Sequence, residues 1–313
     1  MKGRVLVIDN EAGSRNALTF GLTKEGYVVT ACPDGISAIR ELKSAQENKK
    51  PYTGVVTNIF LPDLDVLGML RAIRSWRPGL PMLVITGFCD EAIKSAILSE
   101  PCTACLDQPF ELSDLIEALN KLSAESSEKE VKIGAVEDTR EPAAYIAVRV
   151  TEPDRGLEIF KELSGMDEVK RCDTLRGDFD IIIGARGGGK EIVKLKERIS
   201  ALQGAEIVFA SDAERPKLDR EIDEFVRACL RTSANPDKQT GRASYIFVNT
   251  EKEAIRRVFT AVALSCETVF CDVIEDGAGL VAMVAGRAAR IIERLGRTDG
   301  VLRVREAAVI RLE

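Results

Sequence analysis

Val55-Val56-Thr57-Asn58-Ile59-Phe60-Leu61-Pro62-Asp63 is an apolar run that ends on an amide and then enters a proline turn. Short apolar runs bounded by turn residues read as buried strands, so Gly54 to Asn58 is expected to be one. Similar runs at Val5 to Ile8, Val28 to Ala31, Leu80 to Ile85 and Ala104 to Leu106 alternate with amphipathic helical stretches over residues 4 to about 121. Strand and helix in alternation predict a doubly wound parallel sheet of five strands, flavodoxin-like, with five helices around it.

The 313 residues leave room for two or three domains, each able to bury a core. Hydrophobic residues at 45% and charged residues at 30% are globular values, and a net charge of -6 offers no basic field to DNA or to an anionic membrane. The chain has no histidine, which removes the commonest general base and the histidine-dependent triads. Its eight cysteines lack regular spacing and read as reduced, buried residues. Cys102 and Cys105 form the single C-x-x-C, and without a second pair it reads as a packing feature, so no metal and no cofactor are expected. The opening Met1 to Asp9 is too short for a signal peptide, and no apolar stretch approaches the roughly 18 residues of a membrane span. A cytoplasmic protein is expected.

Further along, residues 123 to 142 are rich in Glu, Ser and Lys and read as a linker after a first domain at 1 to 122. Ala144 to Val150, Val169 to Leu175, Phe179 to Ala185 and Ala205 to Ala210 read as strands, with helices at Asp154 to Leu163 and Lys190 to Leu202. That is β-α-β-β-α-β, the ferredoxin-like order, over residues 143 to 212. A charged helix from Asp212 to Thr232 and a polar loop fill 213 to 242, and the same order then repeats over 243 to 313. The expected class is therefore α/β, a five-stranded parallel sheet followed by two α+β ferredoxin-like domains.

Four motifs in order make residues 4 to 121 resemble a response-regulator receiver domain: Ile8-Asp9-Asn10-Glu11, Asn58 with Leu61-Pro62-Asp63-Leu64-Asp65, Ile85-Thr86-Gly87, and Gln108-Pro109-Phe110. The family's chemistry needs an aspartate nucleophile, carboxylates for magnesium, a hydroxyl for the phosphoryl oxygens and a lysine for the developing charge. Against that pattern Asn58 stands at the acceptor, Asn10 at a metal ligand and Gln108 at the lysine, while Asp9, Glu11 and Thr86 remain. Converting two carboxylates to amides removes two formal charges from a site for a hard cation, so magnesium affinity should be poor. The aromatic switch position, three residues before Gln108, is Cys105. Losing two acids together with one base leaves a less charged site, and the resemblance implies a domain held in one state. Two alternatives stay open: Asp63 or Asp65 accepts phosphate instead, or Asn58 deamidates, which the bulk of Ile59 hinders. Leu115, Ile116, Leu119 and Leu122 on the fifth helix are expected mostly in the core.

The stretch Leu175-Arg176-Gly177-Asp178-Phe179-Asp180-Ile181-Ile182 resembles the effector-binding (RAM) domain of the Lrp/AsnC regulators. That resemblance implies an amino-acid ligand near Gly177, Asp178 and Asp180; the other reading is a tight hairpin with a positive φ at Gly177 and Asp178 bonding the turn. The second copy keeps the turn only as Glu275-Asp276-Gly277-Ala278-Gly279-Leu280. In the family the exposed sheet face is covered by a second subunit, which implies that two copies in one chain pair with each other, with further self-association to a dimer. The family's DNA-binding helix-turn-helix is missing here, and the charged helix after Asp212 reads as a solvated face, so no direct DNA binding is expected. Gly184-Ala185-Arg186-Gly187-Gly188-Gly189-Lys190 fits G-x-x-x-x-G-K, but position 191 is Glu where a phosphate loop needs Ser or Thr.

The expectation is a non-enzymatic signalling protein acting through protein contacts or assembly. Its rivals are an amino-acid sensor built on the tandem domains, and a receiver phosphorylated at an untypical aspartate.

Overall fold

A computed structural model of the chain describes residues 2–87, 91–126, 142–232, 242–265, 267–286 and 288–310. Its contacts separate into two units. The first takes in Met1–Val136, Leu218–Ser233 and Ala263–Cys266; the second takes in Glu137–Lys217, Ala234–Val262 and Glu267–Glu313. Most of the expected linker at 123–142 and nearly all of the loop at 233–242 lie outside the described residues.

In the first unit the strands are β1 (Gly3–Ile8), β2 (Tyr27–Cys32), β3 (Gly54–Asn58), β4 (Met82–Thr86) and β5 (Thr103–Asp107). They alternate with α1 (Ala12–Lys24), α2 (Gly35–Glu47), α3 (Val66–Trp76), α4 (Glu91–Leu98) and α5 (Leu112–Ser126). The sheet is parallel throughout, in the order β2-β1-β3-β4-β5. Ile8 lies beside Thr57, Asn58 beside Ile85, and Thr86 beside Asp107, so four strands end at one level. On one face Val5, Val7, Val56, Leu83 and Ile85 pack with Leu18 and Leu22 of α1 and with Leu115, Leu119 and Leu122 of α5. Of the four expected core positions on α5, Leu115, Leu119 and Leu122 are buried and Ile116 is half-buried.

The other face carries an additional layer. Helix α3 buries Val66, Leu67, Gly68, Met69, Leu70, Ala72 and Ile73, which is apolar burial all round its axis. Only one side of it can face the sheet; the rest is covered by α8 (Arg220–Thr232), which packs on α3 and α2. Ile222, Phe225, Val226 and Cys229 fall at i, i+3, i+4 and i+7 and are all buried. The Cys229 thiol donates to the Gly68 carbonyl at 3.3 Å, Lys43 pairs with Glu224 at 2.9 Å, and Arg40 pairs with Asp219. Burial pushes the Cys229 thiol well above its ordinary pKa. The segment expected to be a solvated linker helix from Asp212 is thus a shorter helix whose apolar stripe belongs to the first unit. It starts late because the preceding strand runs to Asp212, and Pro216, which has no N–H to donate, disfavours helix at the residue before it.

The second unit contains two copies of β-α-β-β-α-β. The first is β6 (Ala144–Val150), α6 (Gly156–Ser164), β7 (Val169–Arg176), β8 (Ile181–Ala185), α7 (Gly189–Ala201) and β9 (Ala205–Asp212). The second is β10 (Ala243–Thr250), α9 (Ile255–Ala263), β11 (Thr268–Ile274), β12 (Gly279–Ala285), α10 (Ala289–Gly296) and β13 (Val301–Ile310). The strands form one antiparallel sheet, β11-β12-β10-β13-β7-β8-β6-β9, in which the copies meet where Ala308 to Ile310 of β13 pair with Thr174 to Arg176 of β7. The sheet curls until its ends approach, and Glu214, just beyond β9, forms an antiparallel bridge with Val273 of β11.

Curling buries both faces of β6, β8, β10 and β12. Ala144, Ile146 and Val148 of β6 pack with Ile159 and Leu163 of α6 and Leu195 and Ile199 of α7. The alternate residues Tyr145 and Ala147 face inward, against Tyr245, Phe247, Val281 and Met283 of the second copy. Two hydrogen bonds cross this inner layer reciprocally: Tyr145 donates to the buried Asp272 at 2.5 Å and Tyr245 donates to the half-buried Asp173 at 2.5 Å. Each first-strand tyrosine of one copy therefore satisfies a second-strand acid of the other. Arg171 lies over the Phe270 ring at 4.5 Å and donates to the Met283 sulfur at 2.7 Å.

Burial, then the charge of the facing aspartates, raises the pKa of Tyr145 and Tyr245 well above the usual phenol value. Burial, then the hydrogen bond with Glu41, pushes Tyr52 up to about 12. Above the ordinary phenol pKa of about 10 the unfolded chain loses protons that the folded chain keeps, so stability must fall as pH rises from there. The expected result is that these three of the four tyrosines show no phenolate absorbance until the protein unfolds in alkali. Reversible ionisation of three tyrosines near pH 10 with native circular dichroism would contradict it.

Candidate functional site

The site is built at the carboxyl ends of the parallel strands, where open α/β sheets place their chemistry. Asp9 follows β1 and is 2% exposed, Asn58 ends β3, Thr86 ends β4, and Gln108 follows β5. The Gln108 N–H donates to the Thr86 carbonyl at 2.7 Å, tying the last two positions together. The sequence-level candidates Asp9, Asn10, Asn58, Thr86 and Gln108 thus share one strand edge. Glu11 sits exposed at the start of α1.

The Asp9 carboxylate is occupied by neutral donors. One oxygen accepts the Glu11 amide at 2.9 Å and the Asn58 Nδ2 at 3.5 Å; the other accepts the Ser14 hydroxyl at 2.6 Å. The Asn58 amide also donates to Asn10 Oδ1 at 3.4 Å, while its own oxygen accepts the Phe60 N–H at 3.2 Å. An aspartate at this place could make neither donor contact and would set like charges against Asp9. The Thr86 hydroxyl is buried without a hydrogen-bond partner. The Lys94 ammonium, on α4, pairs with Asp107 at 2.6 Å. Ser14 and Arg15, whose guanidinium donates to the Asp9 carbonyl at 2.7 Å, were not singled out from the sequence; their place in the first turn after the acidic cluster was the signal.

Asp63 and Asp65, the alternative acceptors, are engaged elsewhere. Asp63 accepts the Gly35 and Ile36 amides at 3.0 and 2.7 Å, serving the first turn of α2, and burial is the main cause that raises its pKa. Asp65 caps α3 through the Gly68 amide at 2.9 Å. Asp63→Ala should therefore lower stability by about 1 to 2 kcal/mol, as losing a helix cap does. A urea titration checks this, and an unchanged midpoint would contradict the capping role.

In the second unit the candidates divide. Gly177 does not take a positive φ; its missing Cβ instead admits Ala307 of β13, whose Cβ would lie 3.1 Å from one. The Asp180 carboxylate accepts the Val150 amide at 2.8 Å and pins the hairpin to β6. Asp178 alone turns toward open space, where it meets Arg305 at 3.3 Å beside a cavity. In the glycine-rich loop before α7, the Glu191 carboxylate accepts the Gly188 amide at 2.9 Å and fills the place a phosphate would need. Among the described residues no cluster of metal-ligating side chains occurs, Cys102 and Cys105 are not joined in a disulfide, and no helix is long and apolar enough to cross a membrane.

Residues 5–120 match the response regulator receiver domain family. The chain is 29% identical over 119 residues to the response regulator receiver protein CpdR of Brucella abortus, covering 38% of this chain and 95% of that protein. It is 31% identical over 130 residues to the response regulator MprA of Mycobacterium sp. strain KMS, covering 42% of this chain and 54% of that one. This chain therefore spans only about half the length of MprA. A solved response regulator receiver protein from Sinorhizobium medicae aligns at 30% identity and a TM-score of 0.36, over 39% of this chain and 95% of that one. Residues 5–120 are a response regulator receiver domain of the two-component superfamily.

Proposed function

We propose that this is a non-enzymatic signalling protein whose receiver does not take a phosphoryl group and which acts through protein contacts or self-association, in the cytoplasm. The observation that carries the reading is the Asn58 amide, which donates to Asp9 and to Asn10 from the end of β3. A carboxamide is no useful nucleophile toward phosphorus, and this one supplies N–H donors to the oxygens that a magnesium ion would otherwise hold. Gln108 after β5 brings a neutral side chain where the family's chemistry needs an ammonium. Incubation of the full chain with acetyl phosphate and magnesium, followed by intact-mass measurement, is the test. No mass gain is expected, and a stoichiometric phosphate would contradict the reading.

A second reading assigns the tandem copies, Lrp/AsnC-like in their hairpin motif, to sensing a small molecule, with the receiver as an assembly module. What favours it is the cavity beside Asp178, between β-strands of both copies.

A further inference from the structure

We infer that the cavity at the end of the curled sheet binds a small carboxylate with a planar or branched apolar body. The inference rests on the second reading above and names its ligand chemistry. The cavity holds about 220 Å³. Drug-sized ligands need roughly 300 to 1,000 Å³, whereas roughly 150 Å³ holds benzene, so this space suits a single-ring acid. Its apolar wall includes Phe179, Phe209 and Phe247. Phe179 and Phe247 meet edge to face at 5.2 Å and 83°, an arrangement a third flat ring can extend.

The polar lining favours an anion. Arg149 and Arg305 both reach the cavity, and each guanidinium carries five donors in a planar fork suited to a carboxylate. Arg305 Nε is buried with no hydrogen-bond partner, and its ion pair with Asp178 is a long 3.3 Å. Arg149 makes two contacts at 3.3 Å, with Glu206 and with the Asp178 carbonyl. The acids of the lining are better served: Glu275 accepts the Asn249 amide at 3.2 Å, and among the described residues no buried carboxylate oxygen lacks a partner. Arginine contacts this long leave donor capacity on both guanidiniums, which a carboxylate in the cavity would take up. The turn beside the cavity is strained as well: Glu275 and Asp276 hold φ of 56° and 50°, a conformation that side-chain-bearing residues rarely adopt.

The test is calorimetric titration of the full chain with phenylacetate, 4-methylpentanoate, phenylacetamide, phenethylamine and phenylalanine. Expected is saturable binding of the first two, with the amide and the amine about tenfold weaker or worse, the loss that follows from giving up one charge-assisted contact. Arg305→Gln should weaken phenylacetate about tenfold and leave acid and amide alike. Val208→Trp should abolish binding by filling the space, while Val208, already 40% exposed, leaves the melting transition intact. Equal affinity for acid and amide, preference for the amine, or unchanged binding by the Val208 variant overturns the inference. Binding of phenylalanine with neither simple acid overturns it while leaving the sensing reading standing; no binding by any of the five overturns both.

Discussion

Phe225→Asp is expected to detach α8 from the receiver and lower the stability of the first unit by more than about 3 kcal/mol. Truncating a fully buried phenylalanine already costs about 3 to 5 kcal/mol, and the aspartate adds an unpaired charge facing α3. Phe225 is 0% exposed between Ile222 and Cys229, so no rotation of the side chain reaches water without moving the helix. Hydrogen exchange reads the outcome directly, since amides of α3 and α8 should lose protection together while those of β6 to β13 keep theirs. Protection of α8 unchanged by the substitution would show that its cover over α3 contributes little.

The second large effect is a gain of chemistry. The triple variant Asn10→Asp, Asn58→Asp, Gln108→Lys is expected to move the receiver from no phosphoryl transfer to stoichiometric modification by acetyl phosphate in the presence of magnesium. The strand ends already stand in register, with Asn58 beside Ile85 and Thr86 beside Asp107, and Asp9 lies within 3.5 Å of the Asn58 amide. On the proposed reading, what the variant supplies is a nucleophile, a second anionic ligand and an ammonium on an existing scaffold. Without magnesium the same variant gathers three carboxylates and should melt lower than the parent chain; magnesium should restore it, because the ion binds only the folded site. A variant that melts normally and still takes no phosphate would place the block outside these three positions.

Much of this was legible in one dimension. The strand at Gly54 to Asn58 and that at Ala144 to Val150 match the structure residue for residue, because a strand buried on both faces reads as an unbroken apolar run. The receiver positions were legible for a related reason: residues at the ends of adjacent parallel strands recur at element boundaries, and boundaries carry turn signals. Two further signals stand in the sequence. Helix α3 is apolar around its full circumference from Val66 to Leu70, which demands cover on its outer side. The tandem copies repeat Tyr-Ile at Tyr145 and Tyr245 and Cys-Asp at Cys172 and Cys271, the residues that later cross-bond as tyrosine and aspartate.

Gly177 illustrates the limit. A hairpin glycine suggests a left-handed turn, yet Gly177 is not among the positive-φ glycines and the requirement comes from Ala307, 130 residues away. The cavity between the copies is of the same kind, because Phe179, Phe247 and Arg305 come together only when the sheet curls.

By itself, the amino-acid sequence determined the element order, the parallel sheet of the receiver and the amide of Asn58 at the end of β3, since hydrophobic period and turn chemistry act over neighbouring residues. The tertiary structure alone decided that α8 covers α3, that Tyr145 and Tyr245 exchange partners across the copies, and that two arginines line one apolar cavity. Those outcomes depend on which buried faces find each other over a hundred residues of chain, and periodicity shows that a face must be covered without showing what covers it.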